Sequence, residues 1–272
     1  MTRPGVDPFS QRTPRVIAAR RLQRRRERDD TGLFLAEGPQ AVREALETSA
    51  VVEVFATKEA TNRHHKIISM VRTADAELSL ITEDGLAALA ETVTPQGIVA
   101  VCRHIDVTLS DALTGRPRLV AVLADVKDPG NAGTVLRTAD AAGARVVVFA
   151  GKAVDPYNGK CVRASAGSLF HVDVVRAPDP LAVVTALQDA GMTVLAADGY
   201  GANDLDTLES DGALISPTAW MFGEEAHGLD PDLADAADAR VRVPIHGRTE
   251  SLNLAAAAAV CLYASARAHR RS

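Results

Sequence analysis

Three segments of this chain place reactive or hydrogen-bonding side chains directly after apolar runs that are typical of strands. The side chains are Asn131, Arg137, Glu225, Ser251 and Asn253. A strand end also offers unpaired backbone N–H and C=O groups, which can bind a small polar ligand without help from side chains. In sheets built from alternating strands and helices, ligands bind at the carboxyl ends of the strands. The spacing therefore predicts a polar-ligand site at one edge of a sheet.

The first segment, DVKDPGNAGTVLRTADAAGA at 125–144, reads as a turn that leads into a helix. Asn131 is expected to cap this helix through its side-chain oxygen. Gly133 has no Cβ, so another backbone or a ligand can approach it closely. Arg137 lies well inside the helix. Taken alone, a capped helix with a surface arginine explains the segment equally well.

The second segment, MFGEEAHGL at 221–229, reads as a strand that runs into a turn. Gly223 ends the strand, and a glycine there lets a ligand lie against the backbone. Glu225 follows in the turn, and its nearest cations in sequence lie well outside the segment. Its expected partner is therefore distant, with Arg137 as the candidate. A surface turn with an incidental acid is the alternative.

The third segment, VPIHGRTESLNLAAAAAVCLYASAR at 243–267, combines a strand end, a polar loop and an Ala-rich helix. The helix is expected to begin at 251–253, with Ser251 as its N-cap. Free N–H groups at such a helix start favour an anionic or polar ligand. Plain capping, without any ligand, is the common case and stays open on this segment alone.

Several other classes of site are disfavoured. The dinucleotide fingerprint GxGxxG does not follow any strand, and the P-loop Gly-Lys-Ser/Thr is missing, which argues against NAD and ATP sites. Cys102, Cys161 and Cys261 are widely spaced in apolar contexts, so we expect reduced core residues and no metal site. No apolar run reaches the roughly 18 residues of a membrane span, and the first residues lack the apolar core of a secretory signal. A cytoplasmic protein is expected.

Charge is distributed unevenly along the chain. The net charge is −5, yet residues 1–28 carry nine arginines against two acidic residues, which gives +7 there and leaves −12 for the remainder. Such a cluster predicts a surface for RNA phosphates, although a solvated helix face is the alternative. Aromatic residues make up only 4%, so recognition of RNA shape and phosphate is favoured over base stacking. The candidate RNA-binding residues are Arg20, Arg21, Arg24, Arg25 and Arg163.

Helix and strand patterns alternate along the whole chain and suggest two α/β domains. We expect an N-terminal domain at 1–105, a linker at 106–118 and a second domain at 119–272. The second domain opens with the apolar run LVAVLADV, typical of a strand that is buried on both faces. This alternation predicts a mostly parallel sheet covered by helices.

The three segments together resemble the motifs of the SpoU/TrmH family of RNA ribose methyltransferases, over about residues 119–267. The N-terminal part resembles the family's substrate-binding domain, which is similar to a small ribosomal protein, most clearly at FLAEGPQAVREAL, 34–46. The motifs as they stand here are Asn131-x-Gly133-x-x-x-Arg137, Gly223-x-Glu225-x-x-Gly228-Leu229, and Pro244 through Ser251-Leu252-Asn253-Leu254.

The resemblance implies transfer of a methyl group from S-adenosylmethionine to a ribose 2′-hydroxyl of RNA, by a homodimer that needs no metal. It also implies a trefoil knot at the C-terminal end of the catalytic domain, which no periodicity argument could predict. Arg137 is implied as the central catalytic residue, with Asn131, Glu225, Ser251 and Asn253 around it. The implied cofactor-binding residues are Gly223, Val243, Ile245 and Leu252.

Within the resemblance, ribosomal RNA, and large-subunit 23S RNA in particular, is the favoured substrate. A separate N-terminal domain argues for it, because shorter tRNA-modifying members lack one. A tRNA 2′-O-methyltransferase is the alternative within the class. A catalytically silent RNA-binding or ribosome-assembly factor on the same fold is the alternative outside it. A nucleotide-dependent oxidoreductase is disfavoured by the missing glycine fingerprint.

Overall fold

The computed structural model describes residues 7–74 and 76–271; Arg3 of the arginine cluster lies outside them. The helices are α1 Pro14–Arg21, α2 Arg25–Thr31, α3 Pro39–Glu47, α4 Lys58–Arg63, α5 His65–Thr73, α6 Glu83–Leu89, α7 Leu109–Thr114, α8 Pro129–Ala142, α9 Gly159–Ser165, α10 Pro180–Asp189, α11 Leu205–Ser210, α12 Pro231–Ala236 and α13 Leu254–Arg271. The strands are β1 Leu33–Glu37, β2 Val51–Ala56, β3 Glu77–Leu80, β4 Ile98–Arg103, β5 Leu119–Ala124, β6 Val146–Ala150, β7 Asp173–Ala177, β8 Thr193–Ala197, β9 Asn203–Asp204, β10 Thr218–Phe222 and β11 Ala239–Arg242.

The chain forms two compact units. The first comprises the chain up to Ile105 together with Tyr157–Phe170, and the second comprises Asp106–Pro156 and the chain from His171 onward. The sequence predicts that 157–170 belongs to the second domain, 119–272, and that 106–118 is a linker. The structure differs on both points, because Tyr157–Phe170 packs with the first unit and the predicted linker contains helix α7.

Aromatic packing explains why 157–170 joins the first unit. The Tyr157 ring stacks on His104 with 4.1 Å between ring centroids, and it lies 4.6 Å from the Phe34 ring. The Tyr157 hydroxyl accepts a hydrogen bond of 2.8 Å from the backbone N–H of Ile105. An apolar pattern shows that a segment is buried but does not show which core receives it, so the sequence could not assign this segment.

The first unit is built on a four-stranded mixed sheet in the order β1-β4-β2-β3. The β1–β4 and β4–β2 pairs are antiparallel, and β2–β3 is parallel. Its core includes Val16 and Leu22, which pack with Phe55 and Leu86. The arginine-rich stretch at 14–28 does not form one continuous helix, since α1 ends at Arg21 and α2 begins at Arg25.

The second unit is built on a seven-stranded sheet in the order β7-β6-β5-β10-β8-β11-β9, and every pairing is parallel. Every residue of β5, β6 and β10 is buried, as expected for strands covered on both faces. The mostly parallel sheet is therefore confirmed. Its two-residue strand β9 and the short helix α12 were not predicted, because elements this short carry no periodic pattern.

Strand order explains how distant segments meet. Strands β5, β10, β8 and β11 are consecutive neighbours in the parallel sheet, so their carboxyl ends lie along one edge. The three chemically interesting segments follow β5, β10 and β11 directly. The three cysteines are buried, which confirms their assignment to the core. The trefoil knot stays a prediction.

Candidate functional site

Glu225 joins the second segment to the first. Its Oε1 accepts hydrogen bonds from the backbone N–H of Asp128 at 3.2 Å and from the side-chain amide of Asn131 at 3.1 Å. Its Oε2 accepts from the backbone N–H of Lys127 at 3.3 Å. The carboxylate therefore fixes the loop between β5 and α8 by accepting three hydrogen bonds from it.

Asn253 joins the third segment to the same cluster. Its side-chain Nδ2 donates to Oδ1 of Asn131 at 3.2 Å, while its own Oδ1 accepts from the backbone N–H of Ala255 at 2.9 Å. Asn131 thus donates to Glu225 and accepts from Asn253. One amide side chain links all three segments, so the structure brings together Asn131, Glu225 and Asn253 as expected.

Two helix caps differ from the sequence predictions. The N-cap of α8 is Asp128, whose Oδ1 accepts from the backbone N–H of Asn131 at 2.7 Å, with Pro129 as the first helical residue. Helix α13 begins at Leu254, so Asn253 rather than Ser251 caps it. Because other residues satisfy the helix starts, Asn131 has its side-chain amide free for Glu225 and Asn253.

The ionisation of Glu225 follows from these contacts. Burial acts to raise the pKa of Glu225, but the hydrogen bond from Asn131 and those from the backbone N–H groups of Glu225 itself, Lys127 and Asp128 outweigh it. The net pKa lies below its ordinary value. The site is thus built to hold a carboxylate, whose role is to accept hydrogen bonds.

The predicted pairing of Glu225 with Arg137 is wrong. Arg137 lies on α8 with an exposed side chain, and within residues 7–74 and 76–271 it makes no hydrogen bond or ion pair. Glu225 is satisfied by amides instead. The Arg137 guanidinium therefore keeps its full set of donors for a group from outside.

A cavity of about 470 Å³ adjoins the cluster at the carboxyl edge of the sheet. Its wall includes all four residues implied as cofactor-binding, which are Gly223, Val243, Ile245 and Leu252. Glu225 and Ser251 also line it. Gly223 follows β10 directly and Val243 follows β11, so the cavity is formed largely by the loops that leave neighbouring strands.

Gly223 is required by its own chain. A Cβ at this position would lie 2.2 Å from the carbonyl carbon of Gly228 and 2.3 Å from the backbone nitrogen of Leu229. The loop closes here through two backbone hydrogen bonds between Glu224 and Gly228, of 2.9 and 2.8 Å. The missing side chain therefore admits the returning loop, a reason that the sequence analysis did not identify.

The loop after β8 also contributes to the cavity, which the three motif segments did not predict. Asp198, Gly199 and Tyr200 line the cavity, and Tyr200 is 94% exposed. Asp198 accepts from Arg240 at 2.6 Å, which ties the loop to β11. The sequence does contain a signal for this loop, since a Gly-Tyr-Gly turn follows TVLAAD, an apolar run typical of a strand.

The candidate RNA-binding arginines fall into different environments. Arg20, Arg21 and Arg24 line a groove on the first unit. Arg25 is ion-paired with Asp29 at 3.5 Å. Arg163 donates to Glu91 at 2.9 Å and approaches Glu37 at 3.4 Å, with only 26% of its side chain exposed. The prediction that Arg163 binds RNA does not fit this geometry, because two carboxylates already satisfy the guanidinium.

In the part of the chain that the structure describes, no group of three or more His, Cys, Asp or Glu side chains is arranged to hold a metal ion. None of the described helices has the length and apolar character needed to cross a membrane.

Comparison with known proteins agrees with the site. Residues 118–263 match the model of the SpoU rRNA methylase family, and residues 13–100 match an MRM3-like substrate binding domain. A curated relative, the 23S rRNA (guanosine(2553)-2′-O)-methyltransferase RlmP of Bacillus subtilis, is 35% identical over 257 residues, which cover 93% of this chain and 96% of the relative.

Two solved structures are similar over nearly the whole chain. The AdoMet-bound rRNA methyltransferase of Sinorhizobium meliloti superimposes with a TM-score of 0.84 at 28% identity, covering 96% of this chain and 97% of that one. The SpoU methyltransferase AviRb of Streptomyces viridochromogenes, in complex with AdoMet, also gives 0.84, at 30% identity, and covers 96% and 99%. The family resemblance seen in the motifs is confirmed, and the chain belongs to the SpoU rRNA methylase family.

Proposed function

We propose that this protein transfers a methyl group from S-adenosylmethionine to a ribose 2′-hydroxyl of ribosomal RNA. The observation that carries the proposal is the cluster of Asn131, Glu225 and Asn253, which joins three motif segments beside a cavity at the carboxyl edge of the sheet. Family membership gives the reaction class, and the curated relative RlmP is named as a 23S rRNA 2′-O-methyltransferase.

The cavity suits the cofactor in size and chemistry. Its volume of about 470 Å³ lies in the range of about 300–1,000 Å³ usual for small-molecule sites. Gly223 and Val243 directly follow strands and Leu252 lies just before α13, so all three are placed to offer backbone groups, and Ile245 adds an apolar surface. When bound, S-adenosylmethionine supplies the methyl group that is transferred.

We assign Arg137 to the RNA side of the reaction. Its guanidinium is exposed and offers five donors in a planar fork, which suits the phosphate of the target nucleotide. The same charge stabilises the oxygen anion that develops as the 2′-hydroxyl loses its proton. A guanidinium stays protonated in proteins, so electrostatic stabilisation is favoured over proton abstraction by this side chain.

The remaining motif residues position this machinery. Glu225 and Asn131 fix the loop that leads into α8, the helix that carries Arg137. Asn253 ties that loop to the start of α13. Ser251 lines the cavity, where we assign it a contact to the ribose. Accurate placement of methyl donor and hydroxyl is worth up to about 7–11 kcal/mol in well-oriented reactions, so positioning residues matter for the rate.

We propose that the active form is a homodimer. Helix α13 carries two apolar side chains that are partly exposed, Val260 at 40% and Tyr263 at 40%. Their spacing places Val260 and Tyr263 on one helical face. Sedimentation of the purified protein tests this, and a monomer at all concentrations would exclude it.

The substrate is the finer part of the proposal. The match of residues 13–100 to a substrate binding domain supports a large structured RNA, and the name of the 35% identical relative supports the 23S molecule. A ribosomal RNA substrate implies that the protein works in the cytoplasm. A tRNA substrate is the competing outcome that the experiment below distinguishes.

The test uses methyl-labelled S-adenosylmethionine, the purified protein and unmethylated total bacterial RNA. The RNA is separated by size and digested to nucleosides. Label in a 2′-O-methyl nucleoside from 23S RNA is expected, and it should be lost with Asn131→Ala. Asp189→Asn, an exposed change at the end of α10, is the control and should keep full activity.

Other outcomes change the proposal in defined ways. Label in tRNA would replace the substrate and keep the reaction. If label enters the RNA only within assembled ribosomal particles, ribosomal RNA remains the substrate and the particle is the form that the protein modifies. Absence of label from naked RNA and particles alike, despite measurable binding of S-adenosylmethionine, would leave a catalytically silent RNA-binding factor as the function.

A further inference from the structure

The arginine cluster of the first unit separates into two sets. Arg25 and Arg26 on α2 form ion pairs with Asp29 and Asp30 one helical turn later, each at 3.5 Å. Arg15 is paired with Glu77 and, at 3.0 Å, with Glu53, and Arg28 is buried at 3% exposure. The second set has exposed side chains without an ion pair among the described residues, and it comprises Arg12, Arg20, Arg21 and Arg24.

The unpaired set converges on a single groove. The groove has a volume of about 730 Å³. It is lined by Gln11, Arg12, Ile17, Arg20, Arg21, Gln23 and Arg24. None of these lining residues is acidic, and four of them carry a guanidinium group. The net charge of the chain is −5, so this groove is a positively charged patch on a protein that is negatively charged as a whole.

Hydrogen bonds fix the turn that carries the groove. Between α1 and α2, the Gln23 side chain donates to the carbonyls of Ala88 and Leu89 at 3.2 and 3.1 Å. The buried Arg28 guanidinium donates to the carbonyls of Leu22 and Gln23 at 2.9 and 3.0 Å. The backbone that presents Arg21 and Arg24 is therefore held before any ligand binds, which lowers the entropic cost of binding.

The lining also indicates the class of ligand. Four guanidinium groups without an acid suit a polyanion, and arginine forks match phosphate oxygens. Unstacked bases are usually bound on aromatic side chains, yet the groove offers only Ile17, 43% exposed, as an apolar surface. Phosphates of a helical RNA, which need no stacking platform, fit these residues better.

We propose that this groove binds the phosphate backbone of a base-paired segment of the substrate RNA, through Arg12, Arg20, Arg21 and Arg24. The inference rests on the proposed RNA-modifying function and deepens it. It separates residues that are alike in sequence, since Arg25 and Arg26 lie next to Arg24 but have the carboxylates of Asp29 and Asp30 beside them, which offset their charge.

The test compares two variants that remove the same charge from the same stretch of chain. Arg21→Gln/Arg24→Gln removes two groove cations, and Arg25→Gln/Arg26→Gln removes two paired cations outside it. All four side chains are exposed, so both variants should fold, and circular dichroism checks this. Binding to a fluorescent RNA hairpin and to a single strand of equal length is measured across a salt series.

We expect the groove variant to bind the hairpin about tenfold more weakly at low salt, with a salt slope smaller by about 1.4–1.8, since each phosphate contact contributes about 0.7–0.9. The control should stay within about twofold of the wild type. Equal losses in both variants would show that only overall charge matters and would overturn the proposal. Tighter wild-type binding to the single strand than to the hairpin would overturn the choice of ligand.

The wild-type methylation assay separates this inference from the proposed function. If the wild-type protein methylates ribosomal RNA and the two variants bind the hairpin equally, the groove proposal is wrong and the proposed enzymatic function stands. If only the groove variant loses hairpin binding and the wild-type protein methylates no RNA, the groove proposal stands and the proposed enzymatic function is wrong.

Discussion

Asn253 donates its side-chain amide to the side-chain oxygen of Asn131 across 122 positions of sequence, at 3.2 Å. Each of the two side chains makes one further hydrogen bond. Asn253 caps α13 by accepting from a backbone N–H, and Asn131 donates to the Glu225 carboxylate. An amide suits both positions since it donates and accepts at once. The pair therefore fixes the loop after β5 relative to the start of the C-terminal helix.

Replacement of Asn131 by aspartate should be more harmful to the reaction than to the fold. Asn131→Asp keeps the acceptor for Asn253 but loses the donor and places a second carboxylate beside Glu225, where the present contact is 3.1 Å. We expect kcat to fall at least about tenfold, since removal of a charge-assisted hydrogen bond costs about 1.5–3 kcal/mol. Affinity for S-adenosylmethionine, measured by calorimetry, should change by less than about threefold. A large loss of cofactor affinity with unchanged kcat would contradict the positioning role.

Glu225→Gln tests whether the carboxylate is needed for hydrogen bonds alone. The amide nitrogen of glutamine is a donor, and any placement of it faces a donor from Lys127, Asp128 or Asn131. We expect methyl transfer to fall by at least about tenfold and the melting temperature to fall by a few degrees, from the cost of an unsatisfied donor. Asp189→Asn is the control for loss of one negative charge, and equal behaviour of the two variants would contradict the prediction.

The pH dependence of this contact has a definite sign. The pKa of Glu225 is lowered in the folded protein from its ordinary 4.5, because the hydrogen bonds from Asn131 and the backbone outweigh the effect of burial. A carboxyl of lowered pKa contributes stability that is fully present above 4.5 and is lost as the pH falls through the folded value. The melting-temperature difference between wild type and Glu225→Gln should therefore be constant from about pH 6 to 8 and shrink below about pH 4.5. A difference that grows on acidification would show that the pKa is raised instead.

Arg137→Lys separates bidentate geometry from charge. The side chain is exposed and makes no ion pair within the described residues, so stability should stay within about 0.5 kcal/mol of the wild type. Lysine is a point charge without the planar fork, so we expect kcat to fall about 10²-fold while cofactor binding stays unchanged. Single-turnover methylation measures this. Nearly full turnover in the lysine variant would show that the fork is irrelevant and that the assigned role is wrong.

The sequence predicted which residues meet more reliably than how they bind one another. Continuous apolar runs identified buried parallel strands, and the carboxyl ends of parallel strands share an edge, so Asn131, Glu225 and Asn253 could be expected in one place. Their hydrogen-bond partners depend on distances of a few tenths of an ångström between residues far apart in sequence. The helix caps are local, and there Asp128 and Asn253 took the roles that were predicted for Asn131 and Ser251. Pro129, a residue favoured at the first helical position, was a sequence signal for the cap at Asp128.

The arginines show a second limit of sequence reasoning. Arg24, Arg25 and Arg26 are consecutive and identical, yet the break between α1 and α2 directs Arg24 to the groove and leaves the other two facing Asp29 and Asp30. That break depends on tertiary hydrogen bonds from Gln23 to the end of α6. Helix periodicity contains no information about this break, so the sequence could not separate Arg24 from Arg25.

Gly223→Ala should close the cofactor cavity from within. The new Cβ would lie 2.2 Å from the backbone carbonyl carbon of Gly228, so the loop must move and the cavity wall with it. We expect affinity for S-adenosylmethionine to fall more than about tenfold in calorimetry. Gly115→Ala is the matched control, because its Cβ would meet only the flexible Arg145 side chain at 3.2 Å. Unchanged cofactor affinity in Gly223→Ala would show that the close approach to Gly228 does not shape the site.

Ser265→Ala should weaken the anchorage of α13 against the sheet. The Ser265 hydroxyl accepts from the Trp220 indole N–H at 2.9 Å and from the Thr218 hydroxyl at 3.0 Å, and all three residues are completely buried. Alanine leaves the indole donor unsatisfied, which costs about 1–3 kcal/mol of unfolding free energy. Urea unfolding followed by fluorescence of Trp220, the only tryptophan in the chain, measures this for the second unit. Ser210→Ala, an exposed change on α11, should stay within about 0.5 kcal/mol of the wild type. Because β10 runs from Thr218 directly into Gly223, a loss of stability with Ser265→Ala should also lower the affinity for S-adenosylmethionine. Equal midpoints of urea unfolding for the Ser265→Ala and Ser210→Ala variants would show that this buried contact contributes nothing to holding the helix.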